Sequence, residues 1–256
     1  MTHDLSTAVV RDVPDSFVEA LRGESGPPLD ADLARSQHGA YVSALRSAGY
    51  AIEMVAADED HPDCVFIEDT AVVLGSVAVI TRCAAPSRRG EADPVREVLS
   101  DRFSIESIEP PGTLDGGDVM QIGGSVYVGR TRRSNEEGIE QLGAVCATLE
   151  LPVTTVDVFD GLHLKSVVLP LDEETVLVTP NSVDEETLEG LRILYEAETE
   201  RHACSALPLR DGRLLVTESA PITSEALEAA GFNVAPIDVS EILAADGGLT
   251  CMSILF

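Results

Sequence analysis

Val119-Met120-Gln121-Ile122-Gly123-Gly124-Ser125-Val126-Tyr127-Val128 places a glycine pair between two β-rich runs. Paired glycines tolerate the positive φ values that a two-residue hairpin turn demands. Ser134–Leu149 then shows a helical pattern, and Val153-Thr154-Thr155-Val156 is strand-like. One unit is thus hairpin, helix, strand. The theme returns in hairpins at Val65–Thr81, Ser166–Thr179 and Ala206–Thr217, with turns at Gly75-Ser76, Asp172-Glu173 and Asp211-Gly212. Val183–Thr199 predicts a helix leading towards Ala206. Thr223–Ala230 predicts another before Asn233-Val234-Ala235-Pro236-Ile237, with Gly231 as its stop signal.

Hairpins therefore begin near residues 65, 119, 166 and 206. Recurrence at about 40–55 residues points to a propeller-like array. A fifth unit is completed if Cys251–Phe256 pairs with Ser6-Thr7-Ala8-Val9-Val10, which removes exposed sheet edges and ties down both ends. The same elements also fit an open α/β sheet. No linker rich in Pro, Gly or Ser divides the chain, and Gly26-Pro27-Pro28 reads as a mobile loop. The expectation is one domain over residues 1–256.

The chain has 256 residues, 44% hydrophobic, enough for a substantial core. Its net charge of −28 would repel a phosphate backbone, so nucleic acid is not an expected partner. Such a charge serves solubility, and it can also attract a small cation. No apolar run approaches the roughly 18–20 residues of a membrane span, and the N-terminus lacks a signal-peptide pattern, so the expected setting is cytoplasmic, away from the membrane. Five cysteines, odd in number and without a Cys-x-x-Cys pair, fit reduced thiols.

Several segments concentrate chemistry. Asp246-Gly247-Gly248-Leu249-Thr250-Cys251 offers a thiol, Gly161-Leu162-His163-Leu164-Lys165-Ser166 an imidazole, and Leu114-Asp115-Gly116-Gly117-Asp118 carboxylates beside glycines. Together they suit a nucleophile, its acid/base partner and an orienting group. Taken singly, each also has an ordinary reading: a small core cysteine, a structural histidine, and an Asp-Gly turn in which Asp115 or Asp118 bonds local backbone. Lys165 is the chain's only lysine. His61-Pro62-Asp63-Cys64-Val65-Phe66-Ile67-Glu68-Asp69 places three carboxylates around a short strand-like run; such acids suit an ammonium or guanidinium group, or simply line a solvated loop. Arg88-Arg89 and Arg130-Thr131-Arg132-Arg133 are conspicuous in so acidic a chain and suit carboxylate recognition or surface ion pairs. Ligand spacing gives no specific support to zinc at Cys251, His163 and Asp115, and His202-Ala203-Cys204 lacks further ligands nearby. No metal or cofactor is expected.

Together, in order, Asp63–Asp69, Ala85-Pro86-Ser87-Arg88-Arg89, Leu114–Val119, Asp160–Ser166 and Asp246–Ser253 resemble the dimethylarginine dimethylaminohydrolases of the guanidino-group-modifying (pentein) superfamily, over nearly the whole chain. The resemblance implies a five-bladed ββαβ α/β propeller with its active site at the central channel. It also implies hydrolysis of N-omega-methylated arginine to citrulline and a methylamine. Cys251 would be the nucleophile, His163 the general acid/base and Asp115 its orienting residue. Glu68, Asp69 and Asp246 would line the guanidinium end, Asp63 would meet the α-amino group, Arg88 with Arg133 the α-carboxylate, and Ala245 would be a further substrate-binding residue. A lid near Leu21 would close over the ligand. Partners are then the small-molecule substrate and, at most, a second copy in a homodimer.

Two other readings stand beside this one. Arginine and agmatine deiminases share the Asp-Gly-Gly-Asp and Cys loops but usually carry a carboxylate two residues after the histidine, where Lys165 stands here. A pentein fold can also serve as a non-enzymatic binding protein, although the known ribosome-associated example lacks the Cys–His–Asp set.

Overall fold

The computed structural model describes residues 7–23, 26–200 and 204–256. Its elements form five three-stranded sheets. The first is built from β1 (Thr7–Arg11), α1 (Ala31–Ser47) and β2 (Ala51–Val55). The second contains β3 (Ala71–Leu74), β4 (Val77–Ile80), α2 (Ala92–Ser100) and β5 (Ser104–Ser107); the third β6 (Val119–Ile122), β7 (Ser125–Arg130), α3 (Glu136–Thr148) and β8 (Val153–Asp157). The fourth holds β9 (Val168–Pro170), β10 (Thr175–Val178) and β11 (Arg192–Tyr195). The fifth holds β12 (Ala206–Pro208), β13 (Arg213–Thr217), α4 (Pro221–Ala229) and β14 (Asn233–Ile237). After α5 (Ser240–Ala244), β15 (Ser253–Leu255) returns to complete the first sheet in the order β15-β1-β2.

Each sheet joins an antiparallel pair to a parallel third strand, and in every blade but the fourth an α-helix precedes that third strand, giving the ββαβ arrangement of an α/β-propeller blade. The sequence expectation holds best in the third blade. Gly123 (φ 58°) and Gly124 (φ 77°) form the predicted positive-φ turn, and the Asn135 side chain caps α3 by accepting from the Gly138 N–H at 2.9 Å. Gly231 stops α4 with φ 102°.

The predicted helix over Val183–Thr199 does not form. That stretch makes a 3-10 turn at Glu185–Leu188 and then β11, because the β-favouring Ile193-Leu194-Tyr195 pairs in parallel with β10. Val65–Thr70 is likewise not a strand. It winds through turns into a 3-10 helix at Ile67–Thr70, so in place of the strand-like run the three carboxylates Asp63, Glu68 and Asp69 are all buried. His202 lies outside the described residues, as does Ser6 of the predicted closing strand.

The closure itself forms. Val9 pairs with Ile254, and Thr7 and Phe256 exchange both backbone hydrogen bonds, at 2.6 and 3.0 Å. Apolar residues fill the spaces between successive blades rather than one central core. Val72, Leu74 and Val79 pack with Val126, Val128 and Leu142, for example, and Met120 and Val156 with Val168 and Val176. Among the described residues, no helix is long and apolar enough to cross a membrane.

Two glycines in α3 should respond oppositely to alanine. A Cβ at Gly138 would sit 2.0 Å from the Thr113 carbonyl oxygen, whereas one at Gly143 meets nothing within 4 Å. Thermal and denaturant unfolding should show Gly143→Ala stabilised by about 0.5–1 kcal/mol, the usual helix gain. Gly138→Ala should lose roughly 1–3 kcal/mol through overpacking against backbone.

Candidate active site

Short 3-10 turns lead into the first strands of three blades and into the closing strand β15. Ile67–Thr70 precedes β3, Gly116–Asp118 precedes β6, Leu164–Ser166 leads to β9, and Thr250–Met252 precedes β15. Neighbouring turns pack on one another, which places them around one centre. They carry Glu68 and Asp69, Asp118 with Asp115 at the cap position, Lys165 with His163 at the cap position, and Cys251.

His163 is buried, with Nε2 3.2 Å from Asp115 Oδ2 and Nδ1 3.9 Å from Asp69 Oδ1. Burial alone would lower its pKa. The surrounding Asp69, Asp115 and Asp118 carboxylates outweigh that and raise it to about 9. Asp69 is also held by Arg88 Nη1 at 2.7 Å and by the Gly117 N–H at 3.0 Å. Burial opposes its ionisation, but His163 and Arg88 bring its pKa down to about 2. Gly117 makes the approach possible: a Cβ there would lie 2.7 Å from His163 Nδ1 and 2.8 Å from Asp69 Oδ1.

Asp115 and Asp118 divide their work. Asp115 accepts from the Ala84 N–H and contacts His163, with Arg133 Nη1 3.8 Å away. Asp118 accepts from Thr131 Oγ1 at 2.7 Å, Ser134 Oγ at 2.6 Å and the Leu164 N–H at 2.9 Å. It therefore fixes both the arginine loop and the turn after His163, rather than bonding its own turn. Its importance is tertiary, and the sequence signal was only the second carboxylate of Asp-Gly-Gly-Asp.

Cys251 is partly exposed to the cavity, while the other four cysteines are buried; all five are free. Burial, reinforced by Glu68 and Asp69, pushes its thiol up to about 12. Glu68 carries the Lys165 ammonium on Oε1 at 2.7 Å, and burial raises its pKa against the pull of that ammonium. Asp246 adopts φ 58°, in the left-handed position that ends α5, where the Gly247 N–H returns to the Ile242 carbonyl. A non-glycine residue there aims its carboxylate at the site at a conformational cost.

A cavity of about 130 Å³ is lined by Leu21, Asp63, Asp69, Arg88, Arg133, His163, Ala245, Asp246 and Cys251. Glu68 lines an adjoining cavity of about 730 Å³ that shares His163, Arg133, Asp246 and Cys251. Asp115 lies beneath His163. All eleven residues expected from the sequence thus converge. Leu21 and Gly23 lie across the opening, their N–H groups bonded to Asp63 and Asp246. Among the arginines of the 130–133 loop, Arg130 is spent on Glu136 and Asp157 at the surface, Arg132 lines only the larger cavity, and Arg133 borders both. Arg88 is more committed than its expected role implies: Glu91, Asp69 and the Phe66 carbonyl engage four of its five N–H donors. Asp69, Asp115 and His163 are also the group most like a metal cluster, with ligand atoms within 4.8 Å.

A five-bladed α/β propeller whose centre gathers a cysteine, a histidine and several carboxylates defines a guanidino-modifying enzyme of the pentein fold. The family model for N,N dimethylarginine dimethylhydrolase, eukaryotic, matches residues 27–255. The chain is 32% identical over 250 residues to the N(G),N(G)-dimethylarginine dimethylaminohydrolase of Pseudomonas aeruginosa, covering 97% of this chain and 98% of that one. It is 39% identical over 227 residues to the Streptomyces coelicolor protein of the same name, covering 88% and 87%. A cysteine-to-serine mutant of the Pseudomonas enzyme, complexed with citrulline, superposes with TM-score 0.94 at 31% identity, over 98% of this chain and 99% of the other. The N-terminal domain of a cyanobacterial arginine dihydrolase, at 19% identity and TM-score 0.87, shares the fold. The chain belongs to the dimethylarginine dimethylaminohydrolase family.

The imidazole's environment gives a direct test. Ring NMR should place the His163 midpoint near 9, and Asp115→Asn should lower it by removing a charge and a hydrogen-bond partner. Because the folded value lies above the unfolded 6.5, the stabilisation from charged His163 is full below about 6.5. It should fade as the pH rises through 9, so the stability lost over that interval should be smaller in Asp115→Asn than in the parent chain.

Proposed function

We propose that this protein hydrolyses N-omega-methylated arginine to citrulline and methylamine or dimethylamine, with Cys251 as nucleophile. The observation that carries this is the convergence of Cys251, His163, Asp69 and Asp246 on one cavity that Asp63, Arg88 and Arg133 also line. That arrangement matches a cation at one end of an amino acid and a zwitterion at the other.

In this reading, Asp63 receives the α-amino group, and Arg133, backed by the remaining Nη1 hydrogen of Arg88, receives the α-carboxylate. Asp69, Asp246 and Glu68 face the guanidinium. The resting site holds a thiol and an imidazolium, since Cys251 lies near 12 and His163 near 9. Bringing a guanidinium against the sulfur stabilises thiolate, and the thiol proton leaves to water. The thiolate attacks the central guanidinium carbon. His163 donates its proton to the departing methylamine as the C–N bond breaks, leaving a planar thiouronium on Cys251. Neutral His163 then takes a proton from water as its oxygen bonds that carbon. The C–S bond breaks, the sulfur leaving as the better leaving group, and the hydroxyl proton passes to the departing thiolate, giving citrulline and the resting thiol. Asp115 holds the ring in place throughout.

Lys165 favours methylated arginine over arginine. It stands where deiminases usually carry a carboxylate, so the site lacks an acceptor for a second unsubstituted nitrogen. The five free cysteines fit a reducing, cytoplasmic setting.

A product assay over arginine, agmatine, monomethylarginine and asymmetric dimethylarginine tests the assignment. Methylamine or dimethylamine should accompany citrulline, Cys251→Ser should be silent, and mass spectrometry should trap an adduct on Cys251. Ammonia released from arginine much faster than dimethylamine from dimethylarginine would sink the reading. The pH dependence carries a sign as well: the reacting pair, thiolate with imidazolium, holds one proton fewer than the resting site, so kcat/KM should rise with pH and level off near 9, where the free imidazole gives up that proton.

A further inference from the structure

We infer that Lys165 is a positioning residue that keeps Glu68 ionised and leaves it a single oxygen with which to grip the substituted guanidinium. The inference rests on the functional reading above and extends it to the basis of substrate choice.

Glu68 is buried on the 3-10 turn before β3. One oxygen accepts from the Lys165 ammonium at 2.7 Å. The other, Oε2, is buried and makes no hydrogen bond of good geometry among the described residues, although the Thr250 hydroxyl comes close enough to lower the Glu68 carboxyl. Both residues line the larger cavity with Cys251 and His163. A buried carboxylate oxygen without a donor is costly, and a cationic N–H is what would satisfy it. Lys165 comes from the turn after His163, 97 residues away in sequence, so the contact is a built junction between two blades.

The groups around Glu68 fix the direction of the effect. Asp69 on its own turn, Cys251 and Thr250 on the turn before β15, and Tyr41 on α1 offer no positive charge. Lys165 is the cation in contact with it; His163, on the neighbouring turn, is turned to Asp115 and Asp69. Burial pushes the Glu68 carboxyl up and Lys165 pulls it back. Without Lys165 the carboxyl would hold a proton to higher pH and present an O–H to a cation that needs an acceptor. With Lys165 in place, Oε1 is occupied and Oε2 is the oxygen left to accept from the substrate. A methylated nitrogen has few N–H groups to offer and loses little, whereas bare arginine gains nothing from its extra hydrogens.

The test compares wild type, K165M and K165R by kcat and KM for asymmetric dimethylarginine and arginine across pH. In K165M the acid limb of kcat/KM should move upward by about one pH unit or more, roughly a tenfold loss at the wild-type limb. The loss should lie mainly in KM, because Glu68 grips the bound cation in ground and transition states alike. K165R should move the limb back. At alkaline pH, where Glu68 is ionised again with Oε1 free, K165M should discriminate less against arginine than wild type does. K165Q, neutral but polar, provides the same comparison if K165M does not fold. A neutral variant that folds and keeps the wild-type acid limb and the wild-type preference overturns the inference while leaving the functional reading intact. A wild-type protein that releases no methylamine overturns both.

Discussion

The buried Asp69 carboxylate is the contact on which the centre of this molecule depends. One oxygen accepts from the Gly117 N–H and faces His163, and the other takes the Arg88 guanidinium. Three segments from different turns therefore meet on one side chain. Charges taken this far from water are tolerated only when paired and hydrogen-bonded, and removing a single partner typically costs about 3–5 kcal/mol. The result is a rigid charged frame: Arg88 is locked by Glu91, Glu91 is pushed to about 7 by its burial against the pull of Arg88, and Asp118 pins the loops on either side. Rigidity of this kind lets catalytic geometry be set before a ligand arrives.

One local device is used repeatedly. A tight 3-10 turn delivers a chemical side chain to the axis, and the strand that follows anchors it in the sheet. For Cys251 the anchor is the ring closure, because β15 begins two residues later and pairs with β1 from the other end of the chain. The sulfur's position thus depends on the pairing of residues more than two hundred positions apart. Loss of that pairing would release Cys251 from the cavity and reopen two sheet edges together.

The sequence shows these features unevenly, and the reason is the range of the interactions. The Gly123-Gly124 turn, the Asn135 cap and the Gly231 stop are local, so a few residues determine each. Ring closure was legible because the repeat leaves one hairpin partner over at each end. Val183–Thr199 misleads because its polar spacing resembles a helix, while the parallel ladder with β10 decides its state. Ile67–Thr70 misleads in the opposite way. The apolar run Val65-Phe66-Ile67 leading into it looks like a strand, but Glu68 and Asp69 must both turn inward to meet Lys165 and Arg88. The site residues themselves were readable as a set of motifs. The tertiary roles of Gly117, Asp118 and Glu91 were not, since each acts through groups distant in the fold or hidden in the core; the local hints were the second carboxylate of Asp-Gly-Gly-Asp and the three-residue spacing of Arg88 and Glu91.

The charge distribution also explains why such a site can wait without reacting. Burial, reinforced by the Glu68 and Asp69 carboxylates, keeps Cys251 in its thiol form in the empty cavity. Asp69, with Asp115 and Asp118, also holds His163 in its proton-bearing form. In the proposed reaction, the ligand that these acids attract is itself the cation that reverses their effect on the sulfur. Recognition and activation then draw on one electrostatic term, and a neutral molecule of similar shape would satisfy neither. An uncharged ureido product leaves the acids without their counterion, which favours its release and returns the thiol to its protonated, resting state.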